Sequence, residues 1–186
     1  MPDDLSAGRA GAGPVYALDG VVPRIAPDAF VAPSAAVIGD VEIGAQSGIW
    51  FHCVLRGDTN RIRIGARTNI QDGTILHVNA GEFPCLVGDD VTVGHAAIVH
   101  ACVLKNRAFV GMGATVLDGA VIEEGGMLAA GAVLTPGKKI GPNELWMGAP
   151  ARFVRVMSVE ERAGFDRTAE HYVELAARFR AGLRAI

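Results

Sequence analysis

Three of the five histidines, His77, His95 and His100, fall within the 24 residues from 77 to 100. Three neutral imidazoles with one position left open are the ligand pattern of a catalytic zinc site, whose fourth place takes water or substrate. Three imidazoles select weakly among metals, so iron or cobalt suits them as well as zinc. Gln71 and Asp72 stand just upstream, within the same stretch from Asn69 to His100. His52 and His171 have no such company and read as ordinary hydrogen-bonded or solvated residues.

The positioning elements follow from composition and period. At 186 residues, half of them hydrophobic, the chain is long enough for one domain with a substantial core. Only 6% of residues are aromatic while 24 are glycine, which suits β structure built from small branched residues and tight turns. A net charge of -3 with no basic run argues against nucleic acid or an anionic membrane as partner, and no apolar run reaches a membrane span. Asp3 and Asp4 stand where a signal peptide carries Lys or Arg. Three scattered cysteines, Cys53, Cys85 and Cys102, do not make a disulfide framework, so a reduced, cytoplasmic protein is expected. Residues 1–14, rich in Gly and Ala, read as a flexible arm.

From Val31 an aliphatic residue recurs every six positions, through Val37, Ile43, Ile49 and Leu55. The beat returns at Ile64, Ile70 and Leu76, then at Val87, Val93 and Val99, and after one five-residue step runs from Leu104 to Leu134. This hexapeptide pattern predicts a parallel β-helix over residues 15–156, in which three hexapeptides close one triangular coil of about 18 residues. Each aliphatic residue points into the prism, where stacked coils share a core that no single coil buries. Two interruptions, residues 56–63 and 78–86, read as extruded loops, and the segment after Leu134 as an irregular link. Asp19-Gly20 marks a first hairpin. Ser158 and Glu161 form a capping box that opens an amphipathic helix within 157–186, with Phe165, Ala169, Tyr172, Ala176, Phe179 and Leu183 on one face to pack along the prism's flank.

The register then places the histidines. His77 and His100 each follow an inward residue (Leu76, Val99) on a first face, one coil apart and pointing outward, with Arg56 in the same slot one coil earlier. His95 stands two places after Val93, near the corner of a second face, with Asp72 in the equivalent place. One prism does not bring His95 round to the other two. A second copy does, and a head-to-tail contact of that kind closes into a ring, here a homotrimer with metal sites at its interfaces.

With Arg56-Gly57-Asp58, Asn69-x-Gln71-Asp72, His77, Gly94-His95 and His100 in place, the chain resembles the gamma-class carbonic anhydrases over residues 15–172. The resemblance implies a left-handed coil, zinc held by His77 and His100 with His95 of the adjacent subunit, and attack of a metal-activated hydroxide on carbon dioxide to give bicarbonate. It further implies that Gln71 orients the hydroxide, that Asn69 positions carbon dioxide or Gln71, that Arg56 and Asp72 pair between subunits with Asp58 in support, and that Tyr172 borders the site. Thr59, where some relatives place an acidic proton shuttle, and the short second loop, whose only acid is Glu82, match the family's shorter branch. The segment 146–152 is shared with hexapeptide acyltransferases. An acyltransferase, an acyl-coenzyme A thioesterase and a non-catalytic assembly protein therefore stand as alternatives.

Overall fold

One aliphatic side chain per six residues has only the interior of a coil in which to escape water, and the strands obey that constraint. The computed structural model describes residues 13–186 and contains a mainly β, parallel solenoid with a single C-terminal helix. Equivalent residues stack in register from coil to coil: Leu55 against Leu76 and Leu76 against Val99 on the first face, Ile49 against Ile70 and Ile70 against Val93 on the second, Ile64 against Val87 on the third. Of these, Ile49, Leu55, Ile70, Leu76, Val93 and Val99 are wholly buried, each contributing about 1.5–3 kcal/mol of transfer free energy. The corners are turned in the left-handed backbone region. Gly113, Gly119, Gly125, Gly131 and Gly137 repeat it every six residues at φ 66–67°, where a glycine meets no Cβ penalty.

Most of the expected arm lies outside the described residues. Its last two positions instead join the first coil: the Gly13 amide donates to the Val31 carbonyl and the Pro14 carbonyl accepts from Val37. The turn at Asp19-Gly20 forms, with Leu18 and Val21 bonded across it, but the flanking strands Val15–Tyr16 and Arg24–Ile25 pair with Ala36–Ile43 rather than with each other.

Two readings of the sequence are corrected. The first interruption is extruded only over 58–61: strand Val54–Ile64 pairs with Ala36–Ile43 up to Gly57 and again from Ile62, with those four residues standing against the single Asp40. Ile62 pairs with Val41 and is fully buried, so the Ile62/Ile64 alternation is a strand signal that the six-residue count hid. Nor does the prism end at Leu134. Ile140 and Trp146, at further steps of six, continue it in strands Lys139–Ile140 and Glu144–Met147, and Arg152–Val156 then folds back antiparallel. The second interruption is a loop only over 78–84, because Cys85–Val87 is a strand.

The helix spans Val159–Gly182 and carries the expected capping box. It lies across the second face, against strands Phe30–Val31, Gly48–Ile49, Asn69–Ile70 and Thr92–Val93. Ala169 and Ala176 are buried beneath it, and Trp50 anchors it by edge-on contacts to Tyr172 and Phe179 at 5.4 and 5.1 Å. No helix among the described residues is long and apolar enough to cross a membrane. The helix roofs the second face, so only that face's corner is left open toward the first.

Candidate metal centre

Strands Val54–Ile64, Ile75–His77 and Ile98–His100 lie side by side with Arg56 paired to His77 and His77 to His100, so the expected outward column forms. The two imidazoles face each other, His77 Nδ1 to His100 Nε2, at 3.0 Å. Each ring's other nitrogen meets a carboxylate: His77 Nε2 lies 3.1 Å from Asp58 Oδ1, and His100 Nδ1 lies 2.5 Å from Asp118 Oδ1. Burial pushes the Asp58 carboxyl up, but the hydrogen bond to His77 and the charge of Arg56 outweigh it and hold the group below its ordinary value. Asp118 is likewise held down, chiefly by the hydrogen bond from Asn79 and then by His100.

Donor counting then fixes what the facing nitrogens want. An ionised carboxylate only accepts, so His77 uses Nε2–H and His100 uses Nδ1–H, and when both rings are neutral, as metal binding requires, two lone pairs point at each other. A cation between them relieves that repulsion. Two nitrogens on one tetrahedral zinc stand about 3.3 Å apart, close to the spacing found, so the donor set fits a metal.

His95 does not join this pair. It sits at the corner leaving the second face, Nδ1 2.9 Å from Asp72 Oδ2, and Asp72 also accepts from the Phe51 amide. Gly94 lets that corner stack, since a Cβ there would come within 2.6 Å of the Met112 nitrogen in the next coil. Among the described residues of one chain, no three His, Cys, Asp or Glu side chains converge as a metal group. The expected Arg56–Asp72 pair is not made within the chain either: Arg56 is bound to Asp58 and Asp72 to His95.

Gln71 and Asn69 form a buried polar chain at the same corner. Gln71 Nε2 donates to Asn69 Oδ1 at 3.0 Å, and Asn69 Nδ2 donates to Thr92 Oγ1 at 2.9 Å. All three are nearly inaccessible. Tyr172 reaches this region from the helix: burial first, and then the charge of Asp72, push its phenol up. Sequence reasoning missed Asp118, Asn79 and Thr92. Asp118 lies 18 residues after His100, one coil length, which was the available signal. Asn79 and Thr92 carried none.

No family model matches the chain. The carbonic anhydrase of Geobacillus kaustophilus is 42% identical over 90% of this chain and 91% of its own length. The mitochondrial gamma carbonic anhydrase 2 of Arabidopsis thaliana is 49% identical over 83% of this chain, which spans only 57% of that relative's length. A solved hexapeptide transferase family protein from Anaplasma phagocytophilum is 46% identical, with a TM-score of 0.86 over 91% of this chain and 98% of its own.

Proposed function

The chain belongs to the gamma-class carbonic anhydrase family, and from that premise we propose that it interconverts carbon dioxide and bicarbonate at metal sites shared between the subunits of a homotrimer. His77 and His100 of one subunit and His95 of the next would hold the metal, zinc by its fit to imidazole, with iron or cobalt as substitutes. When bound, such a metal acidifies water and so supplies a nucleophile near neutral pH, the general property for which carbonic anhydrases are the standard example.

The remaining residues do the positioning. Asp58 and Asp118 fix the proton of each imidazole on the far nitrogen, which keeps the near nitrogen free as a donor atom. Asp72 does the same for His95 by holding Nδ1. Gln71, locked by Asn69 and Thr92, cannot wander, so its amide is a fixed hydrogen-bonding group for orienting the attacking oxygen. Tyr172 helps close the same corner against water. Because the helix roofs the second face, the neighbouring subunit would meet the first face through the Asp72–His95 corner, where Ile75 and Ile98, 44% and 42% exposed, offer apolar surface. Three buried free thiols suit a reducing compartment such as the cytoplasm.

The observation that carries this reading is the pair of facing imidazole nitrogens, each backed by a carboxylate. The test is metal content and carbon dioxide hydration on one purified sample, with acyl-coenzyme A hydrolysis measured alongside to separate the thioesterase alternative. Protein that retains no divalent metal after reconstitution with zinc, cobalt and anaerobic iron would refute it.

A further inference from the structure

Asp118 sits at a corner of the coil above His100 and holds two partners at once. Its Oδ1 lies 2.5 Å from His100 Nδ1, and its Oδ2 accepts from Asn79 Nδ2 at 2.5 Å. Asn79 lies two residues beyond His77, so a single carboxylate links the strand ends that carry both facing imidazoles. The loop bearing Asn79 is itself braced. Asn60 Nδ2 donates to the carbonyls of Asn79 and Gly81 at 3.2 and 3.1 Å, and Phe83 packs so tightly on Gly119 that a Cβ there would lie 3.2 Å from its ring. Asn79 is exposed and the Asp118 side chain is 28% exposed. Exposed polar contacts of this kind add little to fold stability. What they fix is direction. A carboxylate left mobile would let the His100 ring turn and offer either nitrogen, whereas Asn79 on Oδ2 keeps Oδ1 on Nδ1 and leaves Nε2 aimed at His77.

We infer that Asp118, oriented by Asn79, is the positioning residue that makes His100 a metal ligand through Nε2. The inference rests on the metal reading proposed above. It assigns to the loop at 78–84 the task of setting a ligand's proton, a role that needs no residue of that loop to touch the metal. Removing the carboxylate behind a ligating histidine lowers metal affinity by roughly 10- to 100-fold.

The experiment is a zinc competition titration on the full chain as wild type, Asp118→Asn, Asn79→Ala and the exchange Asn79→Asp/Asp118→Asn. Thermal unfolding of each metal-free form is measured alongside. Asp118→Asn should lose roughly 10- to 100-fold in zinc affinity and Asn79→Ala a smaller factor, with little change in the melting point. The exchange leaves an amide rather than a carboxylate against Nδ1–H, so it should stay about as weak as Asp118→Asn. Nitrogen chemical shifts of His100 in the metal-free wild type should report the proton on Nδ1. Zinc affinity indifferent to Asp118→Asn overturns the inference, as does affinity indifferent to Asn79→Ala, an exchange variant restored to wild-type affinity, or a His100 proton found on Nε2. Zinc binding absent from the wild type refutes the metal reading itself, whereas binding that is present and insensitive to Asp118 refutes only this role.

Discussion

Removing the Asn69 side chain tests the buried polar chain directly. Asn69 and Gln71 are 1% and 5% exposed, and the Asn69 amide is the acceptor for Gln71 Nε2 and the donor to Thr92 Oγ1. In Asn69→Ala, Gln71 Nε2 is left buried without an acceptor, which costs about 1–3 kcal/mol, and the Asn69–Thr92 bond takes with it about 0.5–1.5 kcal/mol. The expected destabilisation is therefore about 1.5–4.5 kcal/mol. Gln71→Ala breaks the same Asn69–Gln71 contact from its other end. The double variant should therefore lose less than the sum of the singles, by about 0.5–3 kcal/mol. Guanidinium unfolding of the metal-free protein at one fixed chain concentration measures all four forms without involving the metal. In metal-loaded protein, Asn69→Ala should also lower turnover by up to ~100-fold, because Gln71 is no longer held in place. Strict additivity, or a cost below about 0.5 kcal/mol for Asn69→Ala, would show that the two amides do not depend on each other.

In the proposed trimer a His95→Ala chain and a His77→Ala chain, each inactive alone, should restore metal binding when co-assembled, since some interfaces receive a full ligand set; verified mixed trimers that stay empty would place His95 elsewhere. Burial pushes the Cys53 thiol up to about 12, so maleimide at pH 8 should leave it unlabelled in the native protein and label it on unfolding, and fast native labelling would contradict its burial. Glu161 is held from 4.5 down to about 2, first by Arg155 and then by the Ser158 backbone. The depressed folded value means its stabilisation of the helix is present above pH 4.5 and lost as pH falls toward 2; the stability difference between wild type and Glu161→Gln should vanish over that window, and a difference flat with pH would count against the Arg155–Glu161 pair. For Arg56→Ala and Asp72→Ala, a double-mutant cycle on trimer dissociation should give a coupling if the two residues meet between subunits, and additivity would mean they do not.

The prism was legible in the sequence because its rule is local. An aliphatic residue every sixth position fixes both the inward side of each strand and the neighbour it stacks on, and Leu55, Leu76 and Val99 obey it as counted. The count failed where the chain kept the physics but changed the spacing. Ile62 alternates with Ile64 like any half-buried strand while sitting off the six-residue beat, and the loop was drawn longer than the four residues, 58–61, that leave the ladder. After Leu134 the beat persisted at Ile140 and Trp146, but Pro136 and Gly137 looked like an ending. Gly137 is in fact the last of five glycines that turn corners at the same φ. The histidine column was legible by the same register, and Asp118, one coil after His100, could have been read with it, whereas the Asn79–Asp118 contact could not, because it joins residues 39 apart through a loop that has no period.

The helix already covers the second face over Asn69 and Thr92, so in the proposed trimer a neighbour would not reach those strands directly. The corner with Asp72 and His95 remains, and it is there that side chains are 42% and 44% exposed. On the first face, the Arg56 side chain is 47% exposed beside Asp58. Arg56 and Asp72 each have a partner in their own chain, so in the proposed trimer they would not meet as two stranded charges. They would extend a line of Asp58, Arg56, Asp72 and His95 that ties the carboxylate behind His77 to the carboxylate behind His95. A guanidinium has donors enough for two carboxylates at once, so Arg56 can bridge without giving up Asp58. Such a bridge would couple subunit contact to ligand orientation: drawing the corner onto the first face would bring His95 in with its proton already held on Nδ1 by Asp72, and with its other nitrogen free for the centre that His77 and His100 face.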